Sequence, residues 1–411
     1  MLNANSVMSN CKPNILDANI WTPKSWQSKP AVQLPTYPSS EHLDLVVDEL
    51  SDLPALVSVK SVNRVTQLLA KAAKGEAFFL QAGDCAESFL DCTPEISHAK
   101  VAYLKKMGMA LLKGIDLPVI AVGRLAGQYT KPRTAEQECH DGQLIPAYRG
   151  DMINHAAPLL SQRIPDPQLM LKGYACAAAI LNHIKVCTAM PGLKDEIYVS
   201  HEALLLHYEQ ALTRYDKNYG RWYDLSTHFP WVGMRTMGHG NAHMEYLRGI
   251  ANPIGIKIGP TVNLQQMKEL LIALDPDHRP GRLTLICRLG AENIERILPE
   301  IIAAVSSIKK EVTWFCDPMH GNTETFLGVK TRRVEKIIAE VEASCKIHKK
   351  LGVPLGGVHL EATHEDVLEC ISEELSFTKE NVYAHYKSLL DPRLNRQQAS
   401  QVIDAVIRNF R

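Results

Sequence analysis

From Phe78 onward, short apolar runs alternate with longer amphipathic stretches, and this rhythm is the strongest constraint on the fold. Strands that alternate with helices are typical of a parallel sheet, because each helix returns the chain to the same end of the sheet. Eight such strands predict an α/β fold closed into a (β/α)8 TIM barrel, which leaves no sheet edge exposed. An open, doubly wound sheet of similar order is the alternative. The runs are FFLQAGDC (78–85), PVIAVGR (118–124), EIYVSHE (196–202), HFPWVG (228–233), PIGIKIG (253–259), LTLICRLG (283–290), VTWFCDP (312–318) and GGVHLEA (356–362).

The N-terminal region has a different composition from the rest of the chain. Residues 1–55 show little periodicity and contain many prolines, with one helical pattern in SEHLDLVVDEL. This predicts an N-terminal arm that packs against the body of the protein or against a neighbouring subunit. Residues 56–411 are then the catalytic barrel domain. Helical patterns within it include ISHAKVAYLKKMGMALLKG and VEKIIAEVEASCKIHKKLG.

The overall charge excludes some classes of partner. Lys plus Arg and Asp plus Glu both number 45, so no net charge attracts nucleic acid or an anionic membrane surface. The sequence has no apolar run long enough to span a membrane and no basic-then-apolar signal pattern at its start. We therefore expect a soluble cytoplasmic protein with no nucleic-acid or membrane partner.

Reactive or charged residues stand at or just after the ends of these runs. In a barrel all the strand C-termini meet on one face, where active sites lie. Solvent exposure of strand ends explains one or two polar residues easily, but it does not explain a metal- or anion-binding group at nearly every strand. The residues are Cys85, Arg124, Glu202, Arg235, Lys257, Arg288, His320 and Glu361.

Part of this set can bind a divalent metal. Cys85, His320 and Glu361 are candidate ligands, and Asp391 in DPRLN after the last strand is a fourth. One thiolate, one imidazole and two carboxylates suit a borderline first-row ion such as Mn, Fe, Co or Zn better than Mg or Ca. Cys316 is the rival thiol, but it lies four residues before His320 on the same strand and is expected in the core.

The remaining groups form a cationic set. Cations that converge on one barrel mouth repel one another unless anions lie between them. Guanidinium groups chelate carboxylate and phosphate with paired hydrogen bonds, and lysine adds a point charge. The residues alone therefore predict a metal beside a site for more than one anion, in an enzyme of phosphorylated small molecules. The set is Arg124, Lys131, Arg133, Arg235, Lys257 and Arg288.

Several motifs resemble the class II 3-deoxy-D-arabino-heptulosonate 7-phosphate (DAHP) synthases. This family condenses phosphoenolpyruvate with erythrose 4-phosphate in the first step of the shikimate pathway, on a (β/α)8 barrel. The resemblance extends from about Lys29 to the C-terminus. It is carried by GRLAGQYTKPRT (123–134), YRGDMIN (148–154), SHEALLLHYE (200–209), PGRLTLICRLG (280–290), CDPMHGNT (316–323) and DPRLN (391–395).

The resemblance implies a role for each matching residue. The metal ligands are Cys85, His320, Glu361 and Asp391, with Mn2+ or Co2+ as the expected ion and Fe2+ or Zn2+ as alternatives. Arg124, Arg235, Lys257 and Arg288 are expected to bind phosphoenolpyruvate, and Lys131, Arg133 and Thr134 to bind erythrose 4-phosphate. Glu202 is the expected active-site acid that holds water, and Asp317 orients either the sugar phosphate or the metal shell. The proton for the new alkoxide comes from Lys131 or from a metal-bound water.

Two of the chain's departures from the family pattern bear on its substrate and its regulation. WVGMRT (231–236) has Met234 where the family commonly has glutamate, which keeps open a related synthase acting on an amino or imino sugar phosphate. The connection from AAAILNHIKV (177–186) to EIYVSHE is short, as in enzymes of secondary metabolism such as phenazine formation. We therefore expect weak or absent feedback by aromatic amino acids.

The resemblance also bears on assembly. Barrel relatives associate, so we expect a homo-oligomer, either a dimer or a tetramer. A metal-binding, non-catalytic partner of chorismate mutase is the alternative outside the enzymes, and chorismate mutase is also the expected protein partner if there is one. A barrel metallohydrolase is a weaker alternative, because it would need several histidines where this chain places Arg and Lys.

Overall fold

The computed structural model describes residues 21–188, 196–238, 240–372 and 384–410. Its main sheet has eight strands, each within one of the predicted apolar runs. They are β1 (Phe78–Gly83), β2 (Val119–Arg124), β3 (Tyr198–Val199), β4 (Trp231–Val232), β5 (Ile254–Ile258), β6 (Leu283–Cys287), β7 (Thr313–Cys316) and β8 (Gly357–Glu361).

The sheet closes on itself. The strand order is β3-β2-β1-β8-β7-β6-β5-β4, and each neighbouring pair is parallel. The two edge strands meet through a parallel bridge between Glu202 and Trp231. The Trp231 amide donates to the carbonyl of His201 at 3.1 Å, and the Ala203 amide donates to the carbonyl of Trp231 at 2.9 Å. The (β/α)8 barrel is therefore confirmed, and the open sheet is not formed.

Helices surround the barrel, and their ends follow from local sequence. The predicted helix around residues 96–114 begins at Pro94, where Thr93 accepts a hydrogen bond from the amide of Ile96. The helix predicted at 334–352 ends where Gly352 takes φ +65°. The helices are α1 (Ser40–Asp52), α2 (Val59–Ala73), α3 (Pro94–Gly114), α4 (Leu160–Arg163), α5 (Gln168–Thr188), α6 (Leu206–Ala211), α7 (Ala242–Gly249), α8 (Leu264–Leu274), α9 (Ile294–Ser307), α10 (Val334–Leu351) and α11 (Arg396–Phe410).

Three antiparallel hairpins and three short 3-10 helices complete the described structure. One hairpin, Thr323–Phe326 with Val329–Arg332, follows β7 and leads into α10. The other hairpins are Gln137–His140 with Gln143–Pro146 and Thr213–Asp216 with Arg221–Asp224, and the 3-10 helices are Ser25–Ser28, Phe89–Asp91 and His320–Asn322.

The N-terminal region packs against the barrel domain. The buried Trp26 donates from its indole nitrogen to the amide oxygen of Gln210 at 3.0 Å, and Trp21 donates to the carbonyl of Glu245 at 2.9 Å. The predicted helix in this region is α1. The boundary between arm and barrel at residue 55 stays a prediction, and residues 1–20 of the arm lie outside the described part of the chain.

Aromatic packing fills the barrel, and α2 covers its N-terminal end. The Phe79 and Phe315 rings lie 5.7 Å apart, and both belong to one buried cluster with Val65 and Leu69 of α2. Thr313, the first residue of β7, donates its hydroxyl to the carbonyl of Leu69 at 3.0 Å. One end of the barrel is thereby closed, which leaves the carboxyl ends of the strands as the open face.

The structure also bears on membrane association. None of the helices within the described ranges is both long enough and apolar enough to cross a bilayer.

We predict that the closed end is sensitive to one glycine. Gly281 has φ +75°, and an alanine Cβ there would lie 2.0 Å from the carbonyl oxygen of Thr66 on α2. The matched control is Gly142, which has φ +80° but no atom within 4 Å of an added Cβ. Gly142→Ala should cost about 1–2 kcal/mol for the left-handed backbone alone. Gly281→Ala should cost about 1–3 kcal/mol more through overpacking, measured as a lower midpoint of thermal unfolding. Equal midpoints would show that α2 does not pack this tightly.

Candidate active site

The carboxyl ends of the strands open into a cavity of about 790 Å³. It brings together residues predicted from seven separate segments of the chain. Cys85, Asp317 and Glu361 are buried at the floor of this cavity. Each contacts a residue that lines it, namely Lys131, Lys257 and His320 respectively. The predicted residues that line it directly are Arg124, Lys131, Arg133, Thr134, Glu202, Arg235, Lys257, Arg288, His320 and Asp391.

Glu361 lies at the centre of the floor. One carboxylate oxygen contacts Arg124 Nη2 at 2.9 Å, His320 Nε2 at 3.1 Å and Lys131 Nζ at 3.2 Å. The other oxygen contacts Arg332 Nη1 at 2.8 Å. Burial alone would raise the pKa of Glu361, but these four groups lower it well below its usual value. Glu361 is therefore a buried anion that cations surround.

The ammonium group of Lys131 lies among three candidate metal ligands. Its Nζ is 3.0 Å from Cys85 Sγ, 3.2 Å from Glu361 and 2.8 Å from Asp391. The three ligand atoms lie within 4.8 Å of one another. Burial lowers the pKa of Lys131, but its anionic neighbours raise it well above the usual value. The pocket therefore already attracts a cation.

His320 completes the predicted quartet of metal ligands. Its Nδ1 lies 2.8 and 3.1 Å from the two carboxylate oxygens of Asp317, so the ring proton belongs on Nδ1. Nε2 faces the carboxylate of Glu361 at 3.1 Å. Metal-binding histidines are commonly oriented in this way by a carboxylate on the other nitrogen. The potential ligand atoms form two groups, Cys85 with Glu361 and Asp391, and His320 with Asp317 and His359, which the contact between His320 and Glu361 joins. A thiol, an imidazole and two carboxylates are ligand types that fit a borderline first-row ion.

Two cations of the mouth are held by the barrel wall. Arg124 donates to the carbonyl of Asp84 at 2.9 Å and stacks 4.9 Å over the ring centre of Trp231. Lys257 pairs with the carboxylate of Asp317. Burial lowers the pKa of Lys257 to about 8; nearby Arg124 also lowers it, while Asp317 opposes the shift. Lys257 is therefore a cation whose charge is easily lost in the free protein.

Two other cations contact neutral groups. Arg235 Nη2 donates to the hydroxyl of Thr134 at 2.7 Å, and Arg288 Nη1 lies 3.3 Å from the sulfur of Met234. Arg288 also donates to the carbonyl of His320. Because these contacts carry no negative charge, both guanidinium groups keep their charge for an anionic ligand. Met234, at the position where the sequence departs from the family pattern, therefore contacts Arg288 directly.

Glu202 presents a buried oxygen at the mouth. Its amide donates to Gln128 at 2.9 Å, and within the described ranges its Oε1 has no hydrogen-bond partner. An added Cβ at Gly233 would lie 2.3 Å from this oxygen, so glycine leaves room for the carboxylate. Burial raises the pKa of Glu202, although nearby cations oppose the shift. The free oxygen suits a bound water or substrate.

Sequence reasoning missed two residues of the floor. His359 Nε2 lies 2.5 Å from Arg124, and His359 Nδ1 lies 2.6 Å from Gln81. Burial, with nearby Lys257 and Arg124, lowers the pKa of His359 well below its usual value. His359 lies two residues before Glu361 on β8, and residues two apart share one face of a strand. This spacing could have predicted that His359 points into the barrel with Glu361. Arg332 comes from the hairpin after β7, where no pattern marks it.

The N-terminal region supplies a further residue that was missed. The side-chain oxygen of Gln33 accepts from the amide of Arg133 at 2.9 Å, and its carbonyl accepts from Arg149. Gln33 has φ +65°, an unusual backbone conformation for a residue other than glycine. It therefore holds the loop that carries Arg133 and Thr134. A contact between segments this far apart in sequence leaves no local pattern.

The chain is similar to known proteins of one family over nearly its whole length. The Class-II DAHP synthetase family matches residues 21–195 and 191–406. A phospho-2-dehydro-3-deoxyheptonate aldolase of Streptomyces coelicolor is 37% identical, over 94% of this chain and 97% of its own length. One of Neurospora crassa is 36% identical, over 95% of this chain and 94% of its own length.

A solved structure has the same kind of fold. The phospho-2-dehydro-3-deoxyheptonate aldolase of Francisella tularensis gives a TM-score of 0.54 at 14% identity, over 93% of this chain and 98% of that one. At this identity the likeness concerns the fold alone. The family match and the two relatives cover nearly the whole chain, and they show that this protein belongs to the class II DAHP synthetase family.

Proposed function

We propose that the chain condenses phosphoenolpyruvate with D-erythrose 4-phosphate and water to give DAHP and phosphate, the first step of the shikimate pathway. The observation that carries the proposal is the barrel mouth, where four candidate metal ligands lie beside a set of cations. Membership of the class II DAHP synthetase family supports the same reaction. The roles of individual residues below are part of this proposal.

Cys85, His320, Glu361 and Asp391 would hold one divalent ion, with Mn2+ or Co2+ preferred over Fe2+ and Zn2+. When bound, such an ion supplies Lewis-acid polarisation of the aldehyde carbonyl. Asp317 keeps Nε2 of His320 available by accepting the proton of Nδ1. Burial raises the pKa of the Cys85 thiol to about 12, so this thiol is protonated in the metal-free protein at neutral pH.

Phosphoenolpyruvate carries a phosphate and a carboxylate, which need separate cationic partners. Arg124, Arg235, Lys257 and Arg288 form this binding set. Arg124 lies deep and is fixed by its backbone contacts, whereas Arg235 and Arg288 keep their charge for the ligand. Paired hydrogen bonds from guanidinium groups fix the orientation of such anions.

Erythrose 4-phosphate would lie in the outer part of the cavity. Arg133 and Thr134 bind its phosphate, on a loop that Gln33 supports. Thr134 already contacts Arg235 at 2.7 Å, so the two substrate sites are neighbours. Placing both substrates between fixed cations brings the reacting carbons together, and such positioning can supply several kcal/mol of the rate enhancement.

The bond-forming steps use groups of the inner pocket. C3 of phosphoenolpyruvate attacks the aldehyde carbon, and Lys131, which is protonated, gives a proton to the new alkoxide. The free Oε1 of Glu202 orients the water that adds to C2. Cleavage of the C2–O bond then releases phosphate and leaves the keto acid.

The proposed function can be tested on chelator-stripped protein. Loss of phosphoenolpyruvate is followed by ultraviolet absorbance with erythrose 4-phosphate present, before and after addition of Mn2+ or Co2+. We expect turnover that returns with metal and requires the aldehyde. Tight binding of metal and phosphoenolpyruvate without turnover would mean that the second substrate is a different sugar phosphate.

Assembly and regulation stay predictions. We propose a cytoplasmic homo-oligomer, a dimer or a tetramer, and chorismate mutase as a protein partner. The expectation of weak feedback depends on the short connection between α5 and β3. Residues 189–195 of this connection lie outside the described residues. Weak feedback is expected, so Trp, Phe or Tyr at physiological concentration should leave activity nearly unchanged; a several-fold loss would contradict this.

The proposal predicts a pH dependence that belongs to Lys257. Its pKa is lowered to about 8, chiefly by burial, so the free enzyme loses this positive charge as the pH rises through 8. kcat/KM for phosphoenolpyruvate should then fall by up to about tenfold per pH unit. The Lys257→Arg variant stays charged over this pH range. Its kcat/KM for phosphoenolpyruvate should be lower than that of the wild type at neutral pH but should not change as the pH rises. A wild-type profile that stays level to pH 10 would contradict the loss of a required charge at Lys257 in this range.

A second prediction concerns the carboxylate behind His320. Asp317→Asn should weaken Mn2+ or Co2+ binding about 10–100-fold, because an amide no longer fixes the ring proton on Nδ1. Equilibrium dialysis of the chelator-stripped protein measures this affinity. Asp275→Asn is the matched control, since Asp275 is also buried but pairs with Lys310 and Arg279 instead. If the two variants bind metal equally well, Asp317 does not orient the ligand.

A further inference from the structure

A second group of potential metal ligands lies between two helices outside the barrel. α3 packs against α5, and His98 of α3 faces His183 and Cys187 of α5. His183 and Cys187 are four residues apart, so they share one face of α5. This group, the His98–His183–Cys187 cluster, shares no residue with the barrel mouth.

The ligand atoms of this cluster converge. Cys187 Sγ lies 3.2 Å from Nε2 of His183 and 3.8 Å from Nδ1 of His98. The two imidazole rings are 5.8 Å apart and nearly perpendicular, and all three ligand atoms lie within 4.8 Å of one another. Tetrahedral zinc with bonds of about 2.0–2.3 Å places its ligand atoms roughly 3.3–3.6 Å apart. The observed spacing is close to this geometry.

We propose that His98, His183 and Cys187 bind a zinc-type divalent ion, distinct from any ion at the barrel mouth. Two imidazoles and one thiolate are nitrogen and sulfur ligands of the kind that Zn2+ prefers. The cluster contains no carboxylate, so it should select against Mg2+ and Mn2+, whereas the mouth quartet contains two. The two sites therefore differ in metal preference.

The position of the cluster makes binding accessible. His98 is exposed, and His183 and Cys187 are half-buried, so an ion can enter from solvent and water can take the fourth position. Binding replaces the thiol proton of Cys187, which is released to solvent.

Such an ion would fasten the helical layer. α3 begins shortly after the loop that carries Cys85, and α5 precedes β3 in the chain. A bond network from His98 to Cys187 joins the start of one helix to the end of the other. An ion that binds only the folded chain raises its stability by mass action. Zn2+ should therefore raise the midpoint of thermal unfolding.

Cobalt distinguishes this site from the mouth, because a thiolate bound to Co2+ gives a charge-transfer band in the near ultraviolet. Cys85→Ala removes the thiol of the mouth from the full chain. We expect Cys85→Ala protein to keep this band and to bind one equivalent of Zn2+ more than the same protein carrying Cys187→Ser, measured by dialysis and elemental analysis. Adding His183→Ala or Cys187→Ser should abolish the band and the Zn2+-dependent rise in the unfolding midpoint.

Controls make the result decisive. Cys139→Ala removes an exposed cysteine of the hairpin 137–146 and should leave the band intact. In the otherwise unchanged chain, His98→Ala should lower Zn2+ stoichiometry by one equivalent without altering basal activity or circular dichroism. A Cys85→Ala protein without the band, or a stoichiometry unchanged by His98→Ala and Cys187→Ser, would overturn the proposal.

Discussion

The buried carboxylate of Glu361 is the interaction on which the site depends. An isolated carboxylate in a protein interior would cost several kcal/mol, so this one must keep its cationic partners. Those partners come from β2, from the loop after it, from the turn after β7 and from the following hairpin. Pairing with Glu361 therefore joins two distant regions of the chain, residues 124–131 and 320–332, to the end of β8. The same pairing places Lys131 and His320 beside the candidate metal position, and Lys131 in turn contacts Asp391 at 2.8 Å.

Charge also explains the division of the mouth into two parts. Inner cations pair with carboxylates: Lys131 with Glu361 and Asp391, and Lys257 with Asp317. In the outer part, Arg235 contacts a hydroxyl and Arg288 contacts a thioether. Arg235 and Arg288 therefore have uncharged partners in these contacts, whereas Arg133 at the same entrance pairs with Glu138 at 3.3 Å. Met234 contributes to this difference, because a glutamate at its position would place a negative charge beside Arg288.

Much of this arrangement could be predicted from the sequence, because strands and helices repeat regularly along the barrel and each strand ends on the same face. The alternation of apolar runs with helical stretches predicted the barrel. The charged residues at the ends of those runs predicted site residues such as Arg124, Lys257 and Glu361. His359 was missed although it shares the inward face of β8 with Glu361. Arg332 and Gln33 could not be found in this way, because a hairpin and an irregular arm place them. Their roles depend on contacts between segments far apart in the chain, which local patterns do not record.

We propose above all that Cys85, His320, Glu361 and Asp391 bind one ion at the point where Lys131 contacts Cys85, Glu361 and Asp391. Anomalous diffraction from crystals loaded with Co2+ and phosphoenolpyruvate tests it most directly. We expect an anomalous peak within bonding distance of all four side chains, with Nζ of Lys131 displaced from the centre. A peak bound instead by Asp317, His320 and His359, with Lys131 still between Cys85 and Asp391, would contradict it.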